Sequence, residues 1–226
     1  MKNYINYLNE NTMSIDYVVN EIRDNCQYYL EIFDTALFRG LDKKYSFDLL
    51  SRYKNREPRS TSFEAHNKLD DLFFQSYGWR ARSEGVFVDQ YKDNEYGTYL
   101  YLFFPKGKFT YLWHPTIMDL LYPVDRSDFQ SDWESSKNMH GYNPKAWNYY
   151  ETENEWQDAR NEFFGNIVDG YETSGTPKES RTEIMFNVEQ YYVLYYKNVF
   201  DDQGLRDGYE SDFALNVLKE LNLKIL

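Results

Sequence analysis

The chain has 226 residues, 42% of them hydrophobic and 19% aromatic, which describes one globular domain able to bury roughly 70% of its unfolded surface without covalent staples. Twenty-five basic residues against 37 acidic ones leave a formal charge of −12 and exclude a general binder of phosphate backbones. A single cysteine (Cys26) excludes an intramolecular disulfide; with no long apolar run and no signal-peptide pattern at Met1-Lys2-Asn3-Tyr4-Ile5-Asn6, the expectation is a soluble cytoplasmic protein.

Residues 1–13 are polar and predict an arm. Ser14 predicts the N-cap of a helix running to about Phe33, because Ile15, Val18, Val19, Ile22, Cys26, Tyr29, Leu30 and Phe33 recur at helical spacing. On that face Cys26 reads as a small buried hydrophobe. Ala36-Leu37-Phe38 predicts a short strand ending on Arg39 and Gly40, and a basic loop through Arg52, Lys54, Arg56 and Arg59 follows. Thr61 with Glu64 predicts a capping box for a helix carrying Phe63, His66, Leu69, Asp70, Phe73 and Tyr77, closed by Gly78.

Strands dominate the middle. Val86-Phe87-Val88 is short and apolar. The longer run Tyr99 to Phe104 leads through Pro105-Lys106-Gly107-Lys108 into Phe109 to Trp113, the pattern of a hairpin. Pro115 predicts a short helix, and residues 127–150, rich in tryptophan and tyrosine, predict an ordered insertion. A helix from Glu153 to Tyr171 precedes the loop Glu172 to Lys178. Strands at 183–188 and 191–196 and a helix capped by Ser211 complete the chain. Helices and strands mix without regular alternation, so the expected class is α+β in a single domain.

Several familiar chemistries are missing from the sequence. It has no G-x-G pair, no G-K-[ST] phosphate loop and no G-x-S-x-G elbow. Three histidines (His66, His114, His140) and one thiol make a poor metal-ligand set, and His66 reads as a packed core residue. Three positions stand out where polar residues meet short apolar strands: Arg39, whose guanidinium can hold a phosphate through two parallel hydrogen bonds; Ser83, in Arg82-Ser83-Glu84-Gly85; and Glu183, opening Ile184-Met185-Phe186. Each alone has an ordinary structural reading, as a surface arginine, a turn serine and a solvated edge glutamate.

In this order the three positions resemble the mono-ADP-ribosyltransferases, the toxin-like family that transfers ADP-ribose from NAD. Leu37-Phe38-Arg39-Gly40 is similar to that family's first element. Ser83 to Val88, with Tyr96-Gly97 following, is similar to the second, and Ser174-Gly175 through Thr182-Glu183-Ile184 to the third. Arg39 and Ser83 stand 44 residues apart, and Ser83 and Glu183 stand 100 apart, which suits the family if 127–150 is extra. The resemblance implies a split-sheet core and NAD as substrate with no metal. It implies Glu183 and Ser83 as catalytic residues, and Arg39 and Gly40 at the dinucleotide. Phe87, Tyr96 or Tyr101 would stack on nicotinamide. It also implies a protein or nucleic-acid acceptor in the host of a bacteriophage. The chain departs from the arginine-modifying members: Arg181, rather than a glutamate or glutamine, stands two residues before Glu183, leaving the acceptor open. Arg59-Ser60-Thr61-Ser62 mimics the family's serine-threonine-serine signature but reads as a helix cap.

Two other classes compete. The charge and the abundant tyrosine and tryptophan suit an acidic viral interaction protein that mimics nucleic acid or inhibits a host factor, but its acids are scattered, with clusters at Asp70-Asp71, Glu151 to Glu155 and Asp201-Asp202. Arg39, Arg52, Arg56, Arg59, Arg80 and Arg82 concentrate in the first half and fit an anionic-ligand pocket better. A structural component with the same fold and no activity is the third reading.

Overall fold

The computed structural model describes residues 13–58, 63–91, 97–117, 120, 152–177, 182–200 and 210–225. The expected arm and the 127–150 insertion lie outside them, apart from Met13. So do the proposed caps at 59–62 and nearly all of the helix expected after Pro115.

Ser14 accepts the amide of Tyr17 (3.2 Å) and caps α1, Ile15–Asn25. The predicted single helix is two: Cys26 leaves helical geometry (φ −120°, ψ 25°), and α2 runs Gln27–Ile32. The periodic face survives the break, because Val18, Val19, Ile22, Cys26, Tyr29 and Phe33 are all buried in one core.

β1, Phe38–Leu41, contains Arg39 and Gly40 rather than ending on them. β2, Phe47–Ser51, lies where a loop was expected. Then come α3 (Phe63–Tyr77), α4 (Ala81–Glu84), β3 (Val86–Val88), β4 (Tyr99–Pro105) and β5 (Thr110–Trp113). The chain finishes with α5 (Glu153–Asp169), β6 (Ile184–Asn187), β7 (Gln190–Asn198) and α6 (Asp212–Leu221). The described residues therefore form a mixed α+β fold with six helices and two antiparallel sheets, one ordered β1-β4-β7-β2 and the other β3-β6-β5.

The expected hairpin of β4 with β5 does not form. Both edges of β4 are taken, by β1 and β7, so β5 pairs with β6 in the other sheet. The intervening turn spends its amides elsewhere: Lys106 donates to the carbonyl of Gln190 and Gly107 to that of Asn25. Likewise β6 and β7, separated by Val188 and Glu189, belong to different sheets.

Strand alternation stacks the layers. Phe104 meets Tyr29 of α2 at 5.8 Å, whereas its neighbour Phe103 meets Phe186 of β6 at 5.2 Å, so the large sheet has helices on one face and the small sheet on the other. Ile184 and Phe186 join that first core. Met185 and Leu112 point the opposite way, into a second core with Leu69 and Phe73 of α3 and Phe164 and Val168 of α5. At one point the sheets touch edge to edge, where Phe38 bridges Asp89, just past β3. Among the described residues no helix is long and apolar enough to cross a membrane.

Candidate functional site

The edge where β1 approaches β3 joins Arg39 to Phe87, two of the sequence-predicted residues. Arg39, directed by β1 toward the neighbouring sheet, donates from Nη1 to the carbonyl of Phe87 at 2.7 Å, and its guanidinium carbon sits 5.4 Å from the Tyr191 ring. Its buried Nε has no hydrogen-bond partner among the described residues. Gly40 pairs with Leu100 on β4, on the other side of the strand from this contact.

Phe87, opposite Met185 in the β3–β6 ladder, carries two guanidinium groups over its ring, Arg56 at 4.2 Å and Arg82 at 5.2 Å. Cation–π contacts of this kind are worth about 0.5–2 kcal/mol each. Phe87 therefore bears arginine where the resemblance assigned it nicotinamide. Tyr101 is also engaged: it is fully buried, and its hydroxyl donates to the Lys43 carbonyl (3.0 Å) and accepts the Tyr45 amide (2.9 Å). Tyr96 lies outside the described residues, as does Arg181.

Ser83 sits in the helical turn α4 rather than on a strand. Its backbone is fixed from both sides, the amide donating to Asp70 Oδ1 (3.2 Å) and the carbonyl accepting the Arg56 amide (3.0 Å). The Arg82 amide donates to the same Asp70 oxygen at 2.7 Å. Glu183 stands one residue before β6, as the sequence predicts, and its Oε2 is 3.5 Å from Arg82 Nη1, an ionic contact longer than a tight hydrogen bond. Both side chains are largely withdrawn from water, with 11% and 22% exposed.

Behind this layer, His66 Nε2 stands 3.6 Å from Asp70 Oδ2, and both residues are buried. Burial pushes the imidazole below its ordinary range. Asp70 pulls the other way, while Arg82 and Arg56 add to the depression. To one side, Arg52 donates to Asn187 Oδ1 and to Glu189 Oε1, both at 2.6 Å. Asn187 follows Met185 on the same face of β6. Four guanidinium groups thus lie near the β3–β6 layer of an acidic chain, with Glu183 beside one of them.

Comparison with protein-family models, curated proteins and solved structures finds no match to this chain.

Of the six arginines concentrated in the first half, Arg39, Arg52, Arg56 and Arg82 reach this region. Arg80 instead pairs with Asp71 on the outside of α3, and Arg59 lies outside the described residues. The sequence marks Arg82 as one of six arginines suited to an anionic ligand and Asp70 as a helix residue, but gives neither a role beside Glu183. The available signals were the i,i+4 placement of His66 and Asp70 on the inward face of α3, and the adjacency of Arg82 to Ser83. Asp70 also parts from its neighbour in the supposed acidic cluster: it is buried on backbone amides while Asp71 is half exposed, so the two cannot present a surface row of charge. Among the described residues no three His, Cys, Asp or Glu side chains converge as metal ligands.

Proposed function

We propose that this chain is an NAD-dependent ADP-ribosyltransferase acting on a protein or nucleic-acid acceptor. The observation that carries the reading is the contact chain Arg39–Phe87–Arg82–Glu183, which joins residues 144 positions apart in sequence at the junction of two sheets. The arginine-bordered region and the paired four- and three-stranded sheets also support it.

Arg39 holds the pyrophosphate, which an otherwise acidic chain would repel. When the bond between ribose C1′ and the nicotinamide nitrogen breaks, the electron pair leaves with nicotinamide and positive charge develops on the sugar. The Glu183 carboxylate stabilises that charge and orients the ribose hydroxyls. The acceptor nucleophile then bonds to C1′ and gives up its proton. Ser83, on a turn pinned by Asp70, helps seat the nicotinamide-ribose half.

The test is release of nicotinamide from NAD by the wild type and by Glu183→Gln, which keeps the shape and removes the charge. Turnover is expected to fall by about 10²–10³-fold, the usual consequence of deleting one preorganised electrostatic group. Equal rates in the two proteins would end the catalytic assignment.

A further inference from the structure

We infer that Arg82 is the positioning residue of the Glu183 carboxylate and that Asp70 fixes Arg82 for that role, an inference that rests on the reading of Glu183 as the group facing the ribose.

Glu183 stands ahead of the first ladder pair of β6, where Ile184 meets Val88 and Trp113, so the sheet itself does not set the direction of its side chain. Arg82 Nη1 is the cation beside it, 3.5 Å from Oε2. Arg82 is in turn constrained at three points. Its amide is bound to Asp70 at 2.7 Å, the following amide of Ser83 is bound to the same oxygen, and its guanidinium lies over the Phe87 ring. Asp70 is 2% exposed on α3, a fifteen-residue helix seated in the second core, so it is a rigid reference. The buried carboxylate of a helix is thereby connected to a carboxylate at the mouth of a strand through one arginine. Catalytic groups must be held to within about 0.5 Å, and a displacement of about 1 Å can cost about 10²-fold in rate.

The same geometry separates positioning from phosphate binding. A residue that grips the pyrophosphate contributes to ground-state and transition-state binding alike, so its loss raises KM. A residue that aims Glu183 contributes when charge develops, so its loss lowers kcat.

Initial rates of nicotinamide release against NAD concentration are compared for the wild type, Arg82→Gln, Arg82→Lys, Asp70→Asn and Glu183→Gln. Arg82→Gln is expected to lower kcat about 10–100-fold, with KM for NAD within about threefold of wild type. Arg82→Lys, which keeps the charge but not the fork, is expected to recover part of that loss. Asp70→Asn, whose amide oxygen still accepts the two N–H groups, is expected to fall between Arg82→Lys and the wild type. Wild-type kcat in Arg82→Gln overturns the inference, and so does a raised KM at unchanged kcat, which would make Arg82 a phosphate ligand. If Arg82→Gln does not fold, Arg82→Lys decides: reduced kcat at constant KM supports the inference and wild-type kcat overturns it. An active Glu183→Gln overturns the underlying reading as well, whereas an inactive one beside a fully active Arg82→Gln overturns only the role of Arg82.

Discussion

The imidazole of His114 accepts the backbone amides of Thr116 (3.1 Å) and Ile117 (3.0 Å) at Nδ1 and lies edge-on to the Tyr171 ring. Gly170 packs so closely on its other nitrogen that a methyl group there would come within 2.4 Å of Nε2. Protonation would place a hydrogen on the nitrogen that two amides already occupy. Burial pushes this histidine below its ordinary range, with the Glu172 charge opposing, and burial pushes His66 the same way. With the folded value below the unfolded one, near 6.5, the unfolded chain takes up more protons in the interval between them. Stability is therefore complete above about pH 6.5 and falls as pH drops through that interval. Urea midpoints between pH 7.5 and 5.5 should decline for the wild type and decline less for His114→Asn, whose oxygen can accept the same amides without titrating. Equal slopes would contradict this. Cys26 is governed by the same force: burial pushes its thiol up to about 12, which fits its place as an apolar core residue.

At the level of elements, close backbone approaches decide more than propensity. Gly97 adopts φ +88°, and a Cβ there would stand 2.5 Å from the Leu41 nitrogen and 2.8 Å from the Gly40 carbonyl carbon, against β1 itself. Gly78 also has positive φ (+79°), but nothing lies within 4 Å of its would-be Cβ. Gly97→Ala should cost about 2–5 kcal/mol, since strain and clash both apply, against about 1 kcal/mol for Gly78→Ala, where strain acts alone. Urea unfolding measures both, and equal costs would contradict the contact with β1. Element types were legible from the sequence wherever periodicity ran long, as in α1, α3, α6 and the strands at 99–104 and 191–196. The unpredicted strand β2 is a half-exposed edge, and its Phe47-Asp48-Leu49-Leu50 does not alternate. The break at Cys26 left no trace because apolar spacing continues across it. Sheet partners were not legible, since the occupied edges of β4 are a fact of the whole fold. At the site, Arg39 and Glu183 could be named from their strand neighbours. Arg82 stood out only as one of six arginines and Asp70 only as a helix residue, because their significance lies in contacts between α3, α4 and the start of β6.

Across the whole molecule, two cores meet through the small sheet, whose alternate residues feed each of them. Phe186 touches Phe33, Phe103, Phe109 and Tyr111 in the first core, while its neighbour Met185 enters the second. This shared layer carries Phe87 and leads out of Glu183, so the position of the site depends on both cores at once. Charge is distributed to match: a chain of net −12 gathers four guanidinium groups along one seam. The central claim is that this seam receives a dinucleotide. Calorimetric titration of NAD into the wild type, Arg39→Gln and Glu183→Gln tests it most directly. Saturable binding is predicted for the wild type, about tenfold or more weaker binding for Arg39→Gln, and binding within about twofold of wild type for Glu183→Gln. Absence of saturable binding to the wild type, or identical affinity in Arg39→Gln, would contradict the account.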